Sequence, residues 1–129
     1  MPVAQNLKVL VVDDQASMRG LTRYGLKQLG VHNVVEAKSG AHALSELAVN
    51  KFDLIISDWN MDDIDGLELL KEIRANPLIC KTPFIMSTGN ADREKVRVAI
   101  AAGVNNYIVK PFNVAGLKGK IEAVIGKLT

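Results

Sequence analysis

Three aspartates, two neighbouring hydroxyls and one lysine are the side chains of this sequence whose types and placement could do chemistry together. Asp13 and Asp14 follow the apolar run VLVV, Asp58 follows DLIIS, Ser87 and Thr88 close PFIMST, and Lys110 with Pro111 follows NYIV. Carboxylates crowded together repel one another and raise at least one pKa unless a cation neutralises them. Mg²⁺ suits that task, because it takes oxygen ligands, keeps several waters and commonly uses one or two carboxylates alongside phosphoryl oxygens. Asp13, Asp14 and Asp58 are therefore candidate metal ligands. A lysine and a hydroxyl beside them complete a set for phosphoryl transfer, where catalysis is mostly positioning plus positive charge and hydrogen-bond donors. Lys110 supplies the point charge, and Thr88 or Ser87 supplies the donor. A carboxylate can itself be the nucleophile, which gives an aspartyl phosphate.

These groups meet only if the elements carrying them converge. Five short apolar runs, at residues 7–12, 34–37, 53–57, 83–87 and 106–109, alternate with segments of helical spacing. The first, third and fourth are nearly continuous in Val, Ile, Leu, Phe and Met, as strands buried on both faces of a parallel sheet should be. Between them run five apolar stripes. The first is Met18, Leu21, Thr22, Gly25, Leu26 and Leu29, ended by Gly30. The second is Leu44, Leu47 and Ala48, capped by Ser39, and the third is Gly66, Leu69, Leu70 and Ile73, stopped by Asn76 and Pro77. The fourth is Val96, Ala99, Ile100 and Gly103, and the last is Leu117, Ile121, Val124, Ile125 and Leu128. Five strands alternating with five helices read as an α/β fold, (βα)₅, an open doubly wound parallel sheet with helices on both faces. In such sheets ligands bind at the carboxyl ends of the strands, where the candidate groups sit.

Composition bounds the rest. A chain of 129 residues fits a single domain, residues 1–129, with residues 1–6 as a short N-terminal extension. Hydrophobic residues at 48% and charged residues at 23% allow a real core and argue against disorder. A net charge of +2 is too mild to imply nucleic acid or an anionic membrane as partner. The single cysteine, Cys80, can neither close an internal disulfide nor build a zinc site, so a cytoplasmic protein is expected. Residues 1–12 have the pattern of neither a signal peptide nor a membrane span.

The motifs VVDDxxxMR at residues 11–19, ISDWNM at 56–61, DGLELLKxIRA at 65–75, MST at 86–88 and NYIVKPF at 106–112 occur in this order. In that order and spacing the sequence resembles the receiver domains of bacterial two-component response regulators, and most of all their single-domain chemotaxis members, from Leu7 to Leu128. The resemblance implies a flavodoxin-like fold with strand order 2-1-3-4-5, which periodicity does not supply. It implies Asp58 as phosphoryl acceptor, with Asp14, Asp58 and the Asn60 carbonyl ligating Mg²⁺ and Asp13 holding the ion mainly through water. Lys110 would pair with the acceptor carboxylate and then with the phosphoryl group. Thr88 would be the switch hydroxyl, Tyr107 the aromatic ring that moves with it, and the Lys110–Pro111 peptide would be cis. Asn60 and Asn90 would tune self-dephosphorylation. The implied function is a stand-alone signalling module rather than an enzyme. A sensor histidine kinase would phosphorylate it, and its fourth helix, fifth strand and fifth helix would dock a downstream target, the flagellar motor switch by nearest resemblance. It would work as a monomer without nucleic acid or membrane. The alternatives are a phosphate sink or regulator of a non-motor partner and, more remotely, a Mg²⁺-dependent phosphatase or phosphotransferase. Against the last stands Asn60, which occupies the position where an acid or base would be needed.

Asp62 stands where such domains commonly carry proline, making residues 61–65 an acidic loop in which Asp62, Asp63 and Asp65 read as solvated turn residues. His32 and His42 read as surface or boundary residues and Cys80 as a packed or half-exposed thiol. Trp59 reads as a partly exposed loop residue, and Arg93, Lys95 and Arg97 as a solvated helix face.

Overall fold

A computed structural model describes residues 3–89 and 93–129. Five strands, β1 (Lys8–Val12), β2 (Asn33–Ala37), β3 (Leu54–Asp58), β4 (Phe84–Thr88) and β5 (Asn106–Val109), alternate with α1 (Ala16–Gln28), α2 (Gly40–Val49), α3 (Gly66–Ala75), α4 (Arg93–Ala101) and α5 (Val114–Ile125). A 3₁₀ turn at Ala4–Asn6 precedes them. All pairings are parallel, in the order β2-β1-β3-β4-β5, which is the order the resemblance implies. Among the described residues, no helix is long and apolar enough to cross a membrane.

Alternation along the strands splits the core in two. Leu10, Val12, Ile55, Phe84 and Met86 pack with Leu69, Leu70 and Ile73 of α3 and Ala43 and Leu47 of α2. Val9, Val11, Leu54, Ile56, Ile85 and Ile108 pack with Leu26 of α1 and Leu117 and Ile121 of α5 on the opposite face. The stripe of α3 is buried as its spacing predicts. Ser39 caps α2 by accepting a hydrogen bond from the His42 N–H, and Gly30, at φ +89°, follows α1 in a conformation that side chains disfavour.

Other stripes are narrower than expected. On α2 the buried positions are Gly40, Ala43 and Leu47, while Ala48 is exposed. On α1 they are Thr22, Gly25 and Leu26. Leu21 is 61% exposed and, with Tyr24 and Phe112, lines an open apolar hollow between α1 and the start of α5. On α4 only Ala99 is buried, and Ile100 is 61% exposed. A short helix held by one small buried side chain is anchored weakly, so its placement rests on neighbours at its ends. One such neighbour is Arg74 of α3. Its guanidinium donates to the carbonyls of Gly103, Cys80 and Thr82 and to Asn105 Oδ1, at 2.8–3.1 Å. The bonds to Gly103 and Asn105 join α3 to the turn that leads from α4 into β5, and those to Cys80 and Thr82 hold the connection from α3 to β4.

Candidate functional site

The carboxyl ends of β1, β3 and β5 deliver the candidate groups to one spot. Asp13 and Asp58 are 5% and 7% exposed, and Asp14 beside them is open to solvent. One carboxylate oxygen from each of Asp13, Asp14 and Asp58 can be chosen so that all three lie within 4.8 Å of one another. Lys110 reaches across the sheet edge and places its Nζ 3.0 Å from Asp13 Oδ2 and 3.1 Å from Asp58 Oδ1. The other oxygen of Asp13 accepts from the Gln15 N–H at 2.9 Å. Asp14, Asn60, Met61, Asp62 and Lys110 line the hollow above these groups, whose volume is about 510 Å³.

Electrostatics follow from this packing. Burial pushes the Asp58 carboxyl above its ordinary value; the hydrogen bond and charge of Lys110 oppose that shift, the charge of Asp13 adds to it, and the Asn60 N–H opposes it. For Lys110 burial acts downward, but the hydrogen bonds to Asp13 and Asp58 outweigh it and hold the ammonium above its ordinary value.

Thr88 and Tyr107 are placed by register. Thr88 and Met86 project from the same side of β4, and Met86 pairs with Tyr107 on β5. Thr88 is buried and Tyr107 half-buried. The Nζ of Lys120 lies 4.8 Å from the centroid of the Tyr107 ring. Ser87, the alternative donor, pairs with Asp58 in the ladder. It faces the opposite side from Thr88, and among the described residues its buried Oγ has no hydrogen-bond partner. Lys110–Pro111 is cis, as the resemblance implied. Asn90 lies outside the described residues.

The response regulator receiver domain family matches residues 9–122. The chain is 43% identical over 124 residues to the chemotaxis protein CheY-3 of Vibrio cholerae, covering 96% of this chain and 95% of that one. It is also 43% identical over 121 residues to the chemotaxis protein CheY1 of Helicobacter pylori, covering 93% and 98%. The solved structure of the chemotaxis response regulator CheY4 of Vibrio cholerae superposes with a TM-score of 0.85 at 36% identity, covering 92% of this chain and 98% of that one. This chain belongs to the response regulator receiver family. It is a CheY-like receiver of two-component signalling.

Three features of this receiver differ from the expectations of its sequence. Trp59 is 9% exposed and joins the core on the α2 and α3 side. Lys95, expected on a solvated face, is half-buried and sets its Nζ 5.4 Å from the centroid of the Trp59 ring, which links α4 to the residue after Asp58. The acidic loop is structured by two of its own aspartates. Asp65 caps α3 by accepting from the Glu68 N–H at 2.9 Å, and Asp63 caps α2 by accepting from the N–H groups of Gly40 and Ala41 at 3.2 and 2.8 Å. Asp62 and Asp63 stay exposed, as the solvated-turn reading has it, and the caps made by Asp63 and Asp65 are what that reading lacks.

For Asp63 the small burial acts upward, but main-chain donors from Ala41, Ile64 and Gly40 outweigh it and hold the carboxyl below its ordinary value. An acid with a lowered folded pKa stabilises above its unfolded value, and that contribution is lost as pH falls through the folded value. Asp63→Ala should therefore cost about 1 kcal/mol near neutral pH, the usual worth of a cap at an exposed site. The gap from the parent should close in acid, which urea unfolding at several pH values would measure.

Proposed function

We propose that the protein is a stand-alone switch that accepts a phosphoryl group on Asp58 and converts it into an altered α4–β5–α5 surface. The observation that carries this reading is the Lys110 ammonium held between the buried carboxylates of Asp13 and Asp58. A lysine so placed neutralises charge at the point where a phosphoryl group would arrive.

The three carboxylates offer a hard cation oxygen donors only, with no nitrogen or sulfur ligand among them. That donor set fits Mg²⁺. Asp14 and Asp58, with the Asn60 carbonyl and with Asp13 through water, would hold it. The ion would supply positive charge that lets an anionic phosphoryl donor approach an anionic carboxylate.

The protein's own groups then do the following. A carboxylate oxygen of Asp58 attacks phosphorus, an O–P bond forms, and the bond from phosphorus to the donor's leaving atom breaks with its electron pair leaving on the donor. That donor is the phosphohistidine of a sensor kinase or a small acyl phosphate. Lys110 turns from the carboxylate to the new phosphoryl oxygens, and the Thr88 hydroxyl donates to another of them. The added charge, about −1.5 to −2, draws Thr88 toward it, and Tyr107, which shares its face of the sheet, repacks. Asn60 and Asn90 set how readily water attacks the phosphoryl group. The chain thereby assists its own labelling and release and acts on no external substrate.

Large apolar side chains already stand on the responding face: Val98 and Ile100 on α4 and Val109 on β5 are all exposed. The relatives named as chemotaxis proteins support a target in chemotaxis, and the target proposed is the flagellar motor switch. The test is binding of a motor-switch peptide to protein treated with Mg²⁺ and acetyl phosphate, against untreated protein. Affinity should rise by about tenfold, within the usual range of coupling between two sites. Stoichiometric labelling with unchanged affinity would contradict the motor reading and favour a phosphate sink.

A further inference from the structure

The peptide bond joining Asp13 to Asp14 carries both acids that β1 contributes to the site. The peptide is planar, so holding its carbonyl holds the plane that contains both Cα atoms and limits where the two side chains start. Asp13 has further anchors through Lys110 and the Gln15 N–H. Asp14 has none: among the described residues its carboxylate makes no hydrogen bond or ion pair, and its aim depends on the backbone alone. No side chain caps the start of α1 either, where Gln15 stands.

One side chain holds that carbonyl. Arg19, one turn into α1, donates from Nη1 to the Asp13 carbonyl at 2.7 Å. Its Nε donates to Glu36 Oε1 on β2 at 3.2 Å, and the other oxygen of Glu36 takes Arg23 Nη1 at 2.9 Å. The Arg19 side chain is 17% exposed, so solvent screens these contacts little. The guanidinium is a planar fork, with Nε spent on the carboxylate that orients it and Nη1 aimed at the carbonyl. A lysine is a single point charge and cannot serve both partners in fixed geometry.

We infer that Arg19, oriented by Glu36, is a positioning residue that holds the Asp13–Asp14 peptide so that Asp14 is presented to the cation. This rests on the proposed Mg²⁺ site and deepens it. Arg19 touches neither the cation nor the phosphoryl group; it acts through the main chain between two ligands. Outer contacts of this kind typically alter metal affinity by 10- to 100-fold.

Isothermal titration calorimetry of the parent, Arg19→Ala, Arg19→Lys and Glu36→Gln with Mg²⁺ tests the inference, with thermal unfolding of each variant measured in the absence of metal. Arg19→Ala should weaken Mg²⁺ binding by about tenfold. Arg19→Lys should recover little of that loss, and Glu36→Gln should fall between parent and Arg19→Ala. At saturating Mg²⁺ the extent of labelling by acetyl phosphate should return to the parent level, because the acceptor and Lys110 are untouched. Parent-like Mg²⁺ affinity in a folded Arg19→Ala protein would overturn the inference alone. If that variant does not fold, Glu36→Gln decides: parent affinity there overturns it. Absence of Mg²⁺ binding in the parent would remove the cation reading and this inference with it.

Discussion

Replacing Lys110 with methionine should cost about 2–3 kcal/mol of stability near neutral pH and slow labelling by acetyl phosphate about 100-fold. Lys110 is the cation between Asp13 and Asp58, at 3.0 and 3.1 Å. Methionine keeps the length and apolar stem but leaves two buried carboxylates facing each other. Breaking a fully buried pair from one side costs about 3–5 kcal/mol. The site opens to solvent on the side of Asp14, which places the expectation at or below the lower end of that range.

The pH dependence of this loss has a definite sign. Asp58 is already raised, so the folded parent takes up its proton more readily than the unfolded chain does, and stability declines as pH rises from the ordinary carboxylate value through the folded one. In Lys110→Met the two effects of Lys110 that lower Asp58 are gone, and its carboxyl moves further up. The variant should therefore recover toward the parent on acidification to about pH 4, because the raised Asp58 carboxyl takes up its proton before the ordinary carboxylate value is reached. In the parent Lys110 is raised, and its own contribution is complete below the ordinary lysine value and lost as pH climbs through the folded one. Urea unfolding without Mg²⁺ at neutral and acidic pH measures the first effect. Equal stability of parent and variant at neutral pH would contradict the paired geometry.

Gly66→Ala should be at least as damaging to stability, by about 3 kcal/mol, for a steric reason. A Cβ on Gly66 would collide with the Asp58 carbonyl oxygen and would stand 2.7 Å from Met86 Sδ and 3.0 Å from Trp59 Cα. Met86 can give way, but the Asp58 and Trp59 main chain cannot without moving the Asp58 carboxylate. The Gly66 N–H also donates to the Trp59 carbonyl at 2.7 Å, which ties the start of α3 to the end of β3. The same substitution at Gly20, inside α1, meets nothing within 4 Å and should stabilise by up to about 1 kcal/mol through helix propensity. Thermal unfolding of the two variants separates a packing requirement from a general sensitivity to added methyl groups. Opposite shifts are expected, and a tolerated Gly66→Ala would contradict the close approach.

The sequence made the strands and the site edge legible because two-sided burial writes itself as continuous apolar runs, and a parallel sheet sends every run's C-terminal residue to one edge. Asp13, Asp58, Thr88 and Lys110 could thus be grouped before any coordinates. Strand order could not, since it depends on which runs pair across long connections; it came from the family resemblance. The roles of Asp63 and Arg74 were hidden for a related reason. Apart from Asn105 Oδ1, their partners are main-chain groups 22 and 23, or 6, 8 and 29, residues away, and a main-chain donor or acceptor leaves no residue-type signature. Trp59 was misplaced because its position after the acceptor suggested a loop, whereas β3 ends one residue later than its apolar run and carries the ring into the core. Ile100 shows the converse. Its spacing marks an apolar stripe, but periodicity cannot say whether a stripe meets the core or remains exposed, and this one remains exposed.

The proposed function requires Asp58 to be a phosphoryl acceptor whose change of state is felt by its surroundings. Trp59 directly follows it and touches Lys95 of α4, so its fluorescence reports both events in one cuvette. The decisive measurement is that fluorescence during titration with Mg²⁺ and then acetyl phosphate, for the parent and for Asp58→Asn, with intact-mass analysis at the end point. The parent should respond at both steps and gain one phosphoryl group, and the variant should give no response to acetyl phosphate and gain none. Equal labelling of both proteins, or a parent that binds Mg²⁺ and takes no label, would contradict the claim.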